Sequence, residues 1–155
     1  VLVLVSGRGN PGAAAVAARV AALPGGRAEL HVDPPDLAAL MAGCDLALIA
    51  GGTMSYEAAA CGLPMLLAPL AGNQVAACRG WAAAGAARLL PPAGEVGADD
   101  LAQGLRDLGR DAEARRAMTA AGRALVDGKG AERLIEALLR PAGEGALAGG
   151  TGREG

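Results

Sequence analysis

The chain has 155 residues, 52% of them hydrophobic, with 25 Gly, 9 Pro and a net charge of −2 from 14 basic and 16 acidic side chains, enough for one domain with or without a tail. A mildly acidic balance with no Lys/Arg-rich run removes the electrostatic basis for nucleic acid or an anionic membrane surface as a partner. With one Trp, one Tyr and no Phe, stacking shelves for bases or sugars are excluded too, so a ligand must be held by backbone amides, small polar groups and a few charges.

Residues 1–5 form an unbroken β-branched and Leu run ending at Ser6-Gly7, the pattern of a strand buried on both faces. An Ala-rich helical stretch over 13–23 stops at Pro24-Gly25-Gly26. A second strand is expected over 28–32, and Asp33-Pro34-Pro35 turns the chain into a short helix over 36–42. A third strand, 45–50, runs into Gly51-Gly52-Thr53 and a helix over 54–61 that stops at Gly62. A fourth, 64–68, runs through residues 69–72 into a helix over 73–84, and 87–90 reads as a short fifth strand. Alternation at this spacing requires crossover connections, hence an α/β class with a doubly wound parallel sheet. Helices over 98–108, 111–126 and 131–139 follow with no strand between them, a helical C-terminal cap on a domain spanning 1–140. The remainder, 141–155, is Gly/Ala/Glu-rich with scarcely a large apolar group and reads as a disordered tail.

Cys44, Cys61 and Cys78 are odd in number and form no CxxC pair, which points to reduced, mostly buried thiols and a cytoplasmic location. No uninterrupted apolar stretch is long enough to span a bilayer, and the start lacks a basic leader. Val1 already stands inside a strand-like run, so the sequence reads as a piece of a longer chain. No metal site is expected.

Ligands of open parallel sheets bind beyond the carboxyl ends of the strands, where three loops are candidates. The first is 6–12, Ser-Gly-Arg-Gly-Asn-Pro-Gly, whose small residues let N–H groups approach an anion at a helix start. Gly7, Gly9 and Gly12 also spell G-x-G-x-x-G, with Asp33 at the distance of a ribose-binding carboxylate. A dinucleotide site is therefore an alternative, although Pro11 falls where the helix should already pack on the strand. Arg8 is either a phosphate partner or a solvated loop residue.

The second loop, Gly51-Gly52-Thr53, is a phosphate cradle, and Glu57 follows Thr53 by four residues, on the same helix face and leaning back over the first turn. A carboxylate beside a phosphate is unfavourable unless it binds something else, and the two vicinal hydroxyls of a ribose suit an acceptor-only group. The alternative is a first-turn acid favoured by the helix dipole. Met54 lies at the same turn. In the third loop Asn73 is either an N-cap or, with Gln74, an amide pair on the ligand side. His31, the only histidine, stands at the end of the second strand and reads as a packing or backbone-contact residue.

The block CDLALIAGGTMSYEAAACGLPMLLAPLAGNQ, Cys44 to Gln74, resembles the Rossmann-like nucleotide-binding C-terminal domain of GT-B enzymes. It is most similar to the UDP-sugar hydrolases of the pseudaminic acid pathway (PseG/SpsG type) and more distantly to MurG-type N-acetylglucosaminyltransferases. The segment Leu125 to Arg133, LVDGKGAER, resembles the C-terminal signature of the hydrolase branch. The first loop departs from it, with Gly7-Arg8-Gly9-Asn10 where the family reads nearer to GGSD. The resemblance implies UDP or a UDP-sugar as ligand, with no further cofactor. Glu57 would hold the ribose, and Gly51, Gly52, Thr53 and Met54 would meet the diphosphate. Gly7, Arg8 and Gly9 would lie against phosphate or sugar, His31 and Val32 would hold the uracil edge through backbone groups, and Asn73 and Gln74 would face sugar and diphosphate. Asn73 is the one catalytic candidate, since an N-terminal domain that supplies catalytic groups is absent from this chain. The implied function is the UDP-sugar-binding half of a hydrolase in cell-surface polysaccharide (nonulosonic acid type) biosynthesis. Alternatives are a glycosyltransferase donor-binding domain, an NAD-type module or a non-catalytic interaction domain.

Overall fold

The computed structural model describes residues 1–140; the expected tail lies outside them. The elements are β1 (Leu2–Ser6), α1 (Ala13–Ala21), a 3-10 turn (Pro24–Gly26), β2 (Ala28–Val32), α2 (Leu37–Ala42), β3 (Ala47–Ile49), α3 (Met54–Cys61), β4 (Met65–Leu67), α4 (Gly72–Ala83), β5 (Ala87–Leu89), α5 (Ala98–Arg110), α6 (Ala112–Leu125) and α7 (Gly130–Leu139). Each expected element is present, and their ends move by at most two residues, because Gly and Pro mark where a segment stops better than where its hydrogen bonds begin.

All strand pairs are parallel, in two ladders: β1 with β2, and β3-β4-β5. The α/β alternation stands, with the sheet divided between its second and third strands. β4 is the centre of the core. Flanked on both sides and bounded by Pro64 and Pro69, its Met65, Leu66 and Leu67 are fully buried. Met65 and Leu67 join Ala58, Ala59, Cys78 and Trp81 in one apolar cluster. Leu66 has the opposite parity and is met from α5, where a Cβ on Gly104 would lie 3.6 Å from its Cδ1. Helices thus cover both faces of this ladder. α6 packs against α3 with Gly122 beside Ala59, and Thr119 donates its hydroxyl proton to the Gly62 carbonyl at 2.8 Å.

β1 corrects the expectation of burial on both faces: Leu2 is 49% and Val5 43% exposed. With a ladder partner on one side only, and α1 burying no residue, an apolar run does not guarantee cover. Asp100 accepts from the Gly97 amide at 3.0 Å and Asp111 from the Ala114 amide at 2.8 Å, so both cap helix starts. Arg115 donates to the Leu108 and Gly109 carbonyls at the end of α5. The Asp127-Gly128-Lys129 stretch is the turn that opens α7. Gly128 has φ +75°, Asp127 accepts from the Lys129 amide at 3.1 Å, and Arg133 closes the turn by pairing with Asp127. This pairing holds the Asp127 carboxyl below its ordinary 3.8 and raises Arg133. Leu134, Ile135, Leu138 and Leu139 of α7 are exposed. Among the described residues no helix is long and apolar enough to cross a membrane.

Candidate functional site

β3 ends at Ile49, and the chain must reverse into α3 within four residues. Gly51 makes that possible with φ +79°, and an added Cβ would strike Cys78 Sγ. The Cys78 thiol is fully buried against this turn, 3.8 Å from the Ala50 carbonyl, and burial pushes its pKa up. Beyond Gly51, the N–H groups of Gly52, Thr53 and Met54 donate to no acceptor among the described residues, whereas Ser55 and Tyr56 donate to the Gly52 and Thr53 carbonyls, both at 3.0 Å. These three open donors stand at the start of an eight-residue helix whose dipole adds positive character.

Thr53 and Glu57 are both exposed. Thr53 has helical angles, φ −56° and ψ −31°, and its hydroxyl caps no amide. Glu57, one turn on, has no hydrogen-bond or ion-pair partner among the described residues. The capping alternative for Thr53 is therefore unused, and Glu57 presents a solvated carboxylate above the same turn.

The third loop folds onto this one. Gln74 accepts the Leu70 amide on Oε1 at 2.8 Å, and its Nε2 stands 3.6 Å from where a Cβ on Gly52 would lie. Gln74 and Cys78, four residues apart on α4, thus line Gly52 and Gly51 in turn. α4 starts at Gly72 with Ala71 as its N-cap, so Asn73 is not the cap the sequence suggested; its side chain is exposed and free of hydrogen bonds to the described residues. The helix begins one residue earlier because Ala71, extended at φ −142° and ψ 154°, already accepts the Gln74 amide.

The first loop is partly closed on itself, although the Gly7 and Gly9 amides donate to no acceptor among the described residues. Asn10 donates its side-chain N–H to Ser6 Oγ at 3.1 Å and accepts the Gly12 amide at 2.9 Å, while the Asn10 and Ala13 amides go to the Gly7 and Asn10 carbonyls. Asp33 accepts the Arg8 amide at 2.9 Å and Arg8 Nε at 3.0 Å. Both oxygens of the carboxylate that a dinucleotide site would need are thus engaged by Arg8. Gly7 and Gly9 lie in this loop, and His31 and Val32 end β2 opposite Val5 and Ser6, with His31 Nε2 3.4 Å from Glu29. No hydrogen bond among the described residues joins the first loop to the other two. The edge-on contact of Tyr56 with Trp81, ring centroids 5.1 Å apart, couples α3 to α4; one Tyr and one Trp in 155 residues gave no sign that they would meet. Two open grooves of about 610 Å³ each lie elsewhere, one against Arg88, Asp107 and Arg110, the other against Cys44, Asp45 and Arg123. Among the described residues no three His, Cys, Asp or Glu side chains are grouped as metal ligands.

A scan of the chain against protein-family models finds no match, and neither does a search of curated proteins. Among solved structures it is similar to one described as the crystal structure of the glycotransferase of kitacinnamycin, at 22% identity and a TM-score of 0.60 over 88% of this chain. The fold is therefore glycosyltransferase-like, and the chain spans 42% of the length of that structure.

Proposed function

We propose that this domain binds the nucleoside diphosphate of a nucleotide sugar, UDP in the first instance, as the donor-binding half of a two-domain enzyme. One observation carries the reading: the open amides of Gly52, Thr53 and Met54 share a helix turn with the unpartnered carboxylate of Glu57. A phosphate satisfies the amides and two ribose hydroxyls satisfy the acid, so one ligand answers both. Gln74 Nε2, beside Gly52, is a further donor on the diphosphate side, and Asn73 faces solvent where the sugar would extend.

Transfer and hydrolysis both release the nucleoside diphosphate, and both gain from donors fixed where its charge develops. The likeness to a solved glycosyltransferase favours a sugar transferase. The hydrolase of nonulosonic acid synthesis rests on the sequence resemblance alone, and the segment behind its C-terminal signature is a helix-opening turn in this structure. Either reaction needs a second half, which would bind and activate the attacking water or acceptor hydroxyl.

Calorimetric titration with UDP is the test. Glu57→Ala is expected to weaken binding by about 1.5–3 kcal/mol, the contribution of hydrogen bonds to a charged partner. Unchanged affinity in that variant removes the ribose assignment, and no heat with the wild-type domain removes the proposal.

A further inference from the structure

We propose that Asp33 is a positioning residue that sets the Arg8 guanidinium against the diphosphate, an inference that rests on the nucleotide reading above. Asp33 follows the last residue of β2, and its own amide donates to the Ser6 carbonyl at 3.0 Å, extending the β1-β2 ladder by one step. From there its carboxylate grips a single residue twice, by the main-chain N–H and by Nε of Arg8. Its backbone has φ +45°, the one positive value at a non-glycine among the described residues. Asp tolerates this region better than most residues, yet it carries a conformational cost.

A surface ion pair does not account for this arrangement by itself. The Arg8 side chain is 85% exposed and Asp33 40%, and pairs so exposed contribute little to stability. What the arrangement accomplishes is geometric. Arginine has large rotamer freedom, and anchoring Nε to a carboxylate fixed at a strand end removes much of it before any ligand arrives. The two terminal nitrogens make no hydrogen bond to the described residues, which leaves the half of the fork that suits a phosphate pointing away from its anchor. Asp33 and Arg8 stand at the carboxyl ends of two parallel strands, the end of a sheet at which ligands bind in such folds. The same carboxylate would serve a dinucleotide only if it were free for the ribose.

The experiment compares UDP and uridine on the full chain and on Arg8→Ala, Asp33→Asn and the double variant, UDP by calorimetry and weak uridine binding by chemical-shift titration. Asparagine keeps the tolerance for positive φ and an acceptor for the Arg8 amide but loses the charge that anchors Nε. Each single variant is expected to weaken UDP about fivefold, uridine should be unchanged, and the double variant should be no weaker than Arg8→Ala, because coupled residues are not additive. If Asp33→Asn is poorly folded, Asp33→Gly, which relieves the backbone, should fold and give the same loss for UDP alone. Equal losses for UDP and uridine, additive single effects, or unchanged UDP affinity in a folded Asp33 variant would overturn the inference. If Glu57→Ala weakens UDP while the Asp33 variants do not, this inference fails alone. If the wild-type chain does not bind UDP, both readings fail.

Discussion

Replacing Gly51 by alanine is expected to destabilise the domain through two separable effects. The φ of +79° is a left-handed conformation that costs a side-chain-bearing residue roughly 1–2 kcal/mol. The added methyl would also strike Cys78 Sγ, which is fully buried; overpacking of this kind costs about 1–3 kcal/mol. The sum, about 2–5 kcal/mol, corresponds to a drop of roughly 5–15 °C in Tm for a chain of this size. Urea denaturation of wild type, Gly51→Ala, Cys78→Ala and the double variant separates the parts. In the Cys78→Ala background the collision is gone, so Gly51→Ala should cost only its conformational share of about 1–2 kcal/mol. Wild-type stability for Gly51→Ala, or an undiminished penalty without the thiol, would refute both the turn geometry and its support by α4.

Two further outcomes are expected. Asp127 has its carboxyl pKa lowered by Arg133 and the Lys129 amide, so the support it gives α7 is present above pH 3.8 and disappears as the pH falls through the lower folded value; the helical circular dichroism difference between wild type and Asp127→Asn should close on acidification from pH 5 to pH 2, and a difference that stays constant would contradict the pairing. If Glu57 holds ribose hydroxyls, 2′-deoxy-UDP should bind the wild-type domain about tenfold more weakly than UDP, while Glu57→Ala should treat the two alike; equal affinity in wild type would place the acid elsewhere.

The alternation of strands and helices was legible because Pro24, Pro34, Gly62, Pro64 and Pro69 cut the chain into segments whose apolar content allowed one assignment each. The exposure of β1 was not, since a run of Val and Leu reports preference and not what packs above it. Local rules left Asn73 as either a cap or half of an amide pair, whereas the chain begins α4 at Gly72, and they did not show that Asp100 and Asp111 turn to helix starts. In the candidate site, Gly51 to Thr53 and Glu57 are neighbours in sequence, so their shared turn could be read directly. The Arg8–Asp33 pair, 25 residues apart, and the seating of Gln74 beside Gly52 are products of the ladder and of helix packing, which spacing along the chain does not encode.

The first and second loops are both glycine-rich starts of helices, yet more of the donors are taken up in the first, and the side chains around each explain why. In the first, Asn10 and Asp33 supply acceptors that take up the Gly12 and Arg8 amides, and Pro11 has no N–H to offer. In the second, Thr53 is already helical and its hydroxyl reaches no amide, so the donors remain open. Donors at three successive residues therefore stand open at α3, while the first loop is left with the separated amides of Gly7 and Gly9 and the outer nitrogens of Arg8. Glu57 then sets the terms on what an anion at α3 can be. Two negative charges about 4 Å apart repel by roughly 1 kcal/mol even in water, so an exposed acid beside the open donors disfavours inorganic phosphate. It favours a phosphate that brings its own hydroxyl donors, and that combination is what a nucleotide offers.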